Sequence, residues 1–327
     1  MIYDLAIIGG GPAGVAAGVY ASRKRLRTVF ITGDFGGQST VSEGIENWIG
    51  TVKIPGLTLA KNLEAHLRAY ANGADGQPIL DIKTGEMCQL VSKSPPYTAE
   101  KPLFTITTNK KAGSAGATTY EARAVLLAAG SHRRKLAIPG ADTFEHKGLT
   151  YCASCDGPLY ADQDVVVVGG GNAGFESATQ LLAYCNNVTL LNRSENLRAD
   201  PSTVASVTAH PKAKIVLNAV PKEVKGDKFV NGLVYTDAKT NQDVSLAVTG
   251  IFVEIGSVPT TEFVKDLVQL NTYGNVVTDP RNQRTSVPGI WAAGDCTDGI
   301  YHQNNIAAGD AVKALEDIYI SLSNSKK

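Results

Sequence analysis

Leu5-Ala6-Ile7-Ile8-Gly9-Gly10-Gly11-Pro12-Ala13-Gly14 stands near the start of the chain, and Val165-Val166-Val167-Val168-Gly169-Gly170-Gly171-Asn172-Ala173-Gly174 repeats its pattern later. In each copy an apolar run predicts a buried strand and a GxGxxG turn follows. A helix is predicted next, over Val15–Arg23 and Phe175–Tyr184. A second strand follows each helix, Thr28-Val29-Phe30-Ile31 and Val188-Thr189-Leu190-Leu191. The interval from first glycine to strand end is equal in both, Gly9 to Thr32 and Gly169 to Asn192. One GxGxxG is a weak signal. Two in the same register, each between a strand and a helix, read as two dinucleotide-binding units. The glycines permit a tight turn and close backbone approach, and the helix N-terminus receives a pyrophosphate. The bland alternative is a pair of glycine-rich turns in ordinary α/β units.

Between the two copies lies Tyr151-Cys152-Ala153-Ser154-Cys155-Asp156-Gly157-Pro158. A CxxC pair can open and close a disulfide reversibly. A zinc half-site needs a second pair, and Cys88, Cys185 and Cys296 are scattered singly, so no metal is expected. Redox chemistry and structural coincidence remain, and the flanking dinucleotide units favour redox chemistry. Asp156 beside a dithiol can move the proton that exchange requires. Its plainer role is a turn acid before Gly157. The three single cysteines read as packing residues.

The chain has 327 residues, enough for about two domains with cores of their own. Lys plus Arg equals Asp plus Glu at 31 each, so no global field favours nucleic acid or an acidic membrane surface. Met1 leads straight into the first strand and no apolar run approaches ~18 residues, which predicts a soluble, cytoplasmic chain. Five cysteines do not make a disulfide-stapled scaffold, and in a reducing compartment a CxxC is more often catalytic than structural.

A loop over Thr32–Gln38 leads to a helix predicted from Leu57 to Asn72, where Leu59, Leu63, Leu67 and Tyr70 recur at helical spacing. Short strands follow at Cys88–Val91, Leu103–Thr107 and Thr119–Leu127, a β-meander with loose tips at Pro95-Pro96 and Lys110–Thr118. Small residues at Ala128-Ala129-Gly130 mark a place of close backbone approach. A small meander is expected between Ala213 and Tyr235. Gly250–Gly256 reads as a buried strand, and Ile290–Asp295 as a strand that delivers an acid. A final helix spans Asn304–Ser321, with Ser323–Lys327 frayed. Segments near Gly130–Gly140 and Gly250–Pro259 read as linkers. The basic runs Lys24-Arg25 and Arg133-Arg134-Lys135 read as solvated faces, with steering of an acidic partner as the alternative.

Two dinucleotide units and one disulfide describe an electron relay, because a flavin exchanges hydride with nicotinamide and also reacts with thiolate. Over nearly its whole length the chain resembles the low-molecular-weight thioredoxin reductases and the related reductase part of alkyl hydroperoxide reductase flavoproteins. The motifs that carry the resemblance are Gly9–Gly14, Gly36-Gly37-Gln38, Glu46-Asn47-Trp48, Cys152–Pro158, Gly169–Gly174, Gly294-Asp295, and Gln303 with Ala307-Ala308-Gly309. The resemblance implies an α/β fold of two Rossmann-like domains of the three-layer type, the second inserted into the first. It places an FAD domain at 1–135 and 253–327 and a nicotinamide domain with the CxxC at 136–252. It assigns FAD to Gly9, Gly11, Pro12, Ala13, Gly14, Gly37, Gln38, Asn47, Ala129, Gly130, Gly294, Asp295, Gln303 and Asn304. The nicotinamide falls to Gly169, Gly171, Asn172, Ala173, Gly174, Arg193 and Arg198. It makes Cys155 the flavin-side cysteine, Cys152 the one that attacks the partner's disulfide, and Asp156 the acid/base. The implied partner is thioredoxin or a thioredoxin-like protein, and the implied assembly a homodimer.

The nicotinamide end departs from the family pattern. NADPH-specific members carry HRRxxxR after the second strand, where this chain reads Asn192-Arg193-Ser194-Glu195-Asn196-Leu197-Arg198. Two arginines of three remain, and the ribose-binding carboxylate of NADH units is replaced by Asn192. NADPH is therefore the expected donor, and ferredoxin or another carrier the alternative. Gly174 stands where many members have alanine. His302 stands where many have arginine and reads as an exposed or capping residue.

Overall fold

The computed structural model describes residues 1–42, 44–45, 47–73, 76–110, 117–151 and 153–324, with the backbone alone at 41, 110, 154 and 155. The chain forms two compact units, one made of Met1–His132 with Val258–Lys327 and the other of Arg133–Ser257.

The first unit opens with strand β1 (Ile2–Ile8), helix α1 (Pro12–Arg23) and strand β2 (Thr28–Thr32). Leu5, Ala6 and Ile7 are fully buried, as a parallel strand covered on both faces demands. Helix α2 (Gly56–Ala69) lies close to α1, since a Cβ on Gly18 would stand 2.5 Å from Leu67 Cδ1. Then come β3 (Leu80–Thr84), β4 (Glu86–Lys93), β5 (Phe104–Lys110), β6 (Ala117–Leu127) and β7 (Ser131–Arg133). The meander is present with longer strands than the sequence indicated. Residues 111–116 of its expected loose tip lie outside the described residues.

The second unit runs through α3 (Ala141–Phe144), β8 (Leu149–Thr150), α4 (Ala153–Asp156), β9 (Asp164–Val168), α5 (Asn172–Leu181), β10 (Asn187–Leu191), α6 (Pro201–Thr208) and β11 (Ala213–Val216). Next are β12 (Ala219–Gly226), β13 (Val230–Asp237), β14 (Gln242–Leu246), β15 (Gly250–Val253) and β16 (Ser257–Pro259). The chain then returns to the first unit for β17 (Ile290–Ala292) and α7 (Asn304–Asn324). Strands β7 and β16, at the two crossings between units, pair with each other.

Both units have three layers. In the first, β3, β2, β1, β6 and β17 form a parallel sheet, to which β5 and β4 add antiparallel. One core lies on the α1 and α7 side, with Phe30, Leu126 and Leu315, and another on the meander side, with Phe104, Ile106 and Phe263. In the second, the parallel order is β11-β10-β9-β15-β8, with β12-β13-β14 over one face and α5 and α6 over the other. This is the expected fold, two Rossmann-like units with the second inserted in the first. Each sheet reverses its order beside its glycine-turn strand, where open α/β sheets take ligands.

Ser323 and Asn324, expected to fray, are helical and complete the last turn of α7, where Leu322 is buried against the core. Residues 325–327 lie outside the described residues. Among the described residues no helix is long and apolar enough to cross a membrane.

Candidate functional site

A cleft of about 720 Å³ opens in the first unit at the carboxyl ends of the parallel strands. Its floor is the first glycine turn. Gly9 adopts φ +120°, and a Cβ there would stand 2.1 Å from the Ala128 carbonyl oxygen. Gly14 is beneath rather than in the cleft, its Cβ direction blocked at 1.8 Å by the Gly9 carbonyl oxygen. Gly11 and Gly37 face each other across the opening, a Cβ on Gly37 lying 3.5 Å from Gly11 Cα. Gly11 caps α1 with no side-chain hydrogen bond, which leaves first-turn N–H groups for an anion.

Of the expected FAD residues, Gly9, Gly11, Pro12, Ala13, Gly37, Gln38, Ala129, Gly130, Gly294, Asp295 and Asn304 line this cleft. Asn47 and Gln303 do not; they bond to each other, Asn47 Nδ2 donating to Gln303 Oε1 at 2.9 Å. Asn305 Nδ2 donates to the Asn47 carbonyl oxygen at 2.6 Å, and Ser39 Oγ to Asn304 Oδ1 at 2.9 Å. These bonds fasten Ser39 and Asn47 to the start of α7. Glu46, between them in the motif, lies outside the described residues.

Asp295 is half-buried, and burial pushes its carboxyl above the usual range while nearby His302 pulls it back. Its side chain forms no hydrogen bond with another described residue, so it faces the cleft as a ready acceptor for a sugar or ribityl hydroxyl. A glycine cradle, open N–H groups and a waiting acceptor fit FAD.

The sequence did not point to Glu86, Met87, Cys88, Thr260 and Phe263, which also line the cleft. They come from β4 and from the segment after β16, and only the packing brings them here. Met87 also explains Gly33, where a Cβ would lie 2.5 Å from its sulfur. Burial pushes the Cys88 thiol up to about 12, and those of Cys185 and Cys296 up to about 11, so all three are poor nucleophiles.

The second unit repeats the turn. Gly169 has φ +130° with its Cβ direction 2.1 Å from the Glu254 carbonyl oxygen, and a Cβ on Gly174 would lie 1.9 Å from the Gly169 carbonyl oxygen. Gly174 therefore holds the turn's backbone where it is. Gly171 has open space, and α5 begins there without a side-chain cap. Asn172 Oδ1 accepts from the backbone N–H of Asp200 at 2.8 Å, tying the start of α5 to that of α6, with Ala173 exposed beside it. Arg193 and Arg198 are exposed. Glu195, between them, pairs with Lys239 at 2.8 Å, which offsets its charge. Asn192 donates to the carbonyl oxygens of Ser194 and Asn196 at 2.8 and 3.1 Å, so it shapes this loop. A shallow apolar groove of about 530 Å³ along α6 contains none of the expected site residues.

Cys152 lies outside the described residues. Cys155 falls in the single turn α4, which continues into a 3₁₀ turn over Gly157–Tyr160. Asp156 accepts a hydrogen bond from the Thr150 hydroxyl.

Arg133 and Lys135 are not a free basic face. Arg133 pairs with Glu254 and Lys135 with Glu145. Glu254 sits just past β15 with its side chain 5% exposed, against 30% for Arg133, and also accepts from Ser177 at 2.7 Å. Burial raises its carboxyl above the usual range, with Arg133 and Ser177 opposing. A raised pKa favours the fold below the ordinary carboxylate range, and that contribution is lost as pH rises through the raised value. Without its cation the loss grows. Arg133→Ala should cost about 3 kcal/mol at neutral pH and much less in acid. Glu254→Gln, which keeps an acceptor for Ser177, should cost under about 1.5 kcal/mol. Thermal unfolding at both pH values reads this, and equal losses for the two variants count against the pair.

The cleft and the two glycine turns have the form of dinucleotide-binding sites, one in each Rossmann-like unit. The family model for pyridine nucleotide-disulphide oxidoreductases matches residues 3–311, and the chain belongs to that family. Family members bind a flavin and a pyridine nucleotide. The chain is 36% identical over 312 residues to an NADH dehydrogenase of Bacillus subtilis, covering 95% of this chain and 57% of that protein. It is 38% identical over 313 residues to an alkyl hydroperoxide reductase subunit of Pseudomonas aeruginosa, again 95% and 57%. The chain thus spans little more than half the length of these curated relatives. Among solved structures, thioredoxin reductase of Lactococcus lactis in its FR conformation matches with TM-score 0.86 and 30% identity, covering 98% of this chain and 99% of that one. Thioredoxin reductase of T. acidophilum matches with TM-score 0.83 and 32% identity, covering 98% of each.

Proposed function

We propose that this chain is a flavin-dependent disulfide reductase that passes electrons from NADPH, through FAD and the Cys152–Cys155 pair, to thioredoxin or a thioredoxin-like protein. The observation that carries the reading is the twice-built glycine turn, each first glycine seated against a strand-end carbonyl, with CxxC-Asp between the two in sequence. Bound FAD supplies the conversion of a nicotinamide hydride into an electron pair for a disulfide.

The chain's own residues do the rest. Gly9, Gly11 and the α1 N-terminus hold the pyrophosphate, and Asp295 accepts from a hydroxyl. Cys155 is the flavin-side thiol and Cys152 attacks the partner's disulfide. Asp156 gives a proton to a thiolate as it forms and takes one from a thiol before it attacks. The protein acts in the cytoplasm as a homodimer, with its domains divided at 1–135, 136–252 and 253–327.

NADPH is favoured by two exposed arginines flanking a neutralised glutamate at the end of β10. Arg193→Ala and Arg198→Ala should each raise the KM for NADPH about tenfold and leave that for NADH within about twofold, since a guanidinium bonds a dianionic phosphate more strongly than a hydroxyl. Equal effects on both nucleotides would remove them as phosphate ligands. A second reading, the same relay fed by ferredoxin, draws on Asn192, which is engaged in its loop where NADH-binding units place a ribose acid. Anaerobic mixing with NADPH, NADH and reduced ferredoxin separates the donors. Flavin absorbance should bleach within seconds with NADPH. Bleaching with ferredoxin alone establishes the second reading, and bleaching with NADH alone follows the name of the Bacillus relative.

A further inference from the structure

We propose that Glu86 is the acceptor for the adenosine ribose hydroxyls of FAD, in place of the acid that Rossmann-like units carry after their second strand. This rests on the cleft of the first unit holding FAD, and it extends that reading to the residue that selects the ribose.

The usual acid is missing. A Rossmann-like unit places a carboxylate about 20 residues after its glycine turn, where it holds a ribose hydroxyl. Here β2 ends at Thr32, whose hydroxyl donates to the Asp34 carbonyl oxygen at 2.6 Å. Gly33 follows with no side chain, and Met87 fills that space, its sulfur 2.5 Å from where a Cβ would stand. Asp34 lines the cleft but is already engaged with a neighbour.

Glu86 reaches the same place from another strand. It opens β4 one residue before Met87, and Gly85 just before it donates its N–H to the Gly33 carbonyl oxygen at 3.1 Å. Glu86 lines the cleft although it is only 6% exposed. The Thr108 and Tyr120 hydroxyls both donate to one carboxylate oxygen, Oε2, at 2.7 and 3.0 Å. Burial and then the bond to Glu86 push the Tyr120 hydroxyl upward, so it stays a donor. The second oxygen, Oε1, has no partner among the described residues. The sealed side-chain atom without a partner among them is Gln283 Oε1, so Glu86 Oε1 is reachable from the space that Glu86 borders.

No described cation pairs with this carboxylate, since the Lys83 ammonium lies 2.8 Å from Asp81. A buried carboxylate held by two hydroxyls alone is costly. A ribose diol donating to Oε1 offsets that cost, and a carboxylate has the lone pairs to accept it. Glu86 thus supplies, beside the end of β2, the acceptor that β2 itself lacks.

The test measures affinity rather than turnover. The full chain, stripped of flavin, is titrated calorimetrically with FAD and with a flavin dinucleotide carrying 2′,3′-dideoxyadenosine. The wild-type protein should bind FAD about thirtyfold more tightly, as a hydrogen bond to a charged group allows. In Glu86→Gln the Thr108 and Tyr120 hydroxyls claim the amide oxygen, which turns the NH2 toward the cleft. The gap should then narrow to about threefold, with the dideoxy analogue binding as it does to wild type. A variant that merely loosens the cleft weakens both ligands alike and keeps the gap. No gap in the wild type, or an undiminished one in Glu86→Gln, overturns the proposal, and so does a gap that narrows in Asp34→Asn instead. If Glu86→Gln loses only the discrimination between FAD and its hypoxanthine analogue, the carboxylate meets the adenine amine and the ribose assignment falls. If the wild-type chain binds no FAD, the reading of the cleft falls with it.

Discussion

Gly9→Ala is expected to be purified without FAD, and Gly169→Ala to keep FAD while losing reduction by a nicotinamide nucleotide. The two glycines occupy equivalent places, with φ +120° and +130°, a region that residues with a Cβ do not adopt without strain. That strain is worth about 1–3 kcal/mol by itself. The larger effect is steric, because each added Cβ would stand 2.1 Å from a carbonyl oxygen, that of Ala128 in one unit and of Glu254 in the other. Both oxygens belong to backbone at the end of a buried strand, so the turn must move, and the first-turn N–H groups of the helix that follows move with it. Flavin absorbance relative to protein reads the first variant. The second should reduce with dithionite but not with NADPH or NADH. One FAD per chain in Gly9→Ala would contradict the assignment of that turn.

Cys155→Ser should abolish disulfide reduction and leave FAD bound. The expectation rests on the position of Cys155 directly before Asp156 in the CxxC-Asp sequence. A hydroxyl cannot form the disulfide through which the electron pair leaves, so the loss should be complete rather than graded. Cys152→Ser should be as inactive toward a protein disulfide. Any variant of the pair keeping more than a few per cent of wild-type turnover would mean that electrons leave by another route.

The fold was legible in the sequence where a backbone approach admits only glycine. Gly9 and Gly169 mark places where a strand-end carbonyl presses on a turn, and that constraint is local enough to appear as a motif. Asp295 was legible for a related reason, as an acid placed at a strand end by a short apolar run. The lining contributed by Glu86, Met87, Cys88, Thr260 and Phe263 was not legible, because those residues reach the cleft through sheet order and carry no spacing of their own. Arg133 resembled a solvated cation because its partner, Glu254, is far along the chain and looks in sequence like an ordinary strand-end acid. Asn47 and Gln303 were picked out as site residues, and the structure gives them a mutual hydrogen bond beside the cleft rather than a place in its wall. Ser323 and Asn324 looked like tail and are helix, since the burial of Leu322 extends α7 further than composition implies.

Anaerobic addition of NADPH to the FAD-loaded protein, followed by alkylation and mass spectrometry, tests most directly whether electrons from the nicotinamide reach the cysteine pair. One equivalent should be oxidised, with two new thiols per chain, at Cys152 and Cys155. NADPH and NADH both left unoxidised, or nucleotide oxidised with Cys152 and Cys155 still joined, would contradict the relay.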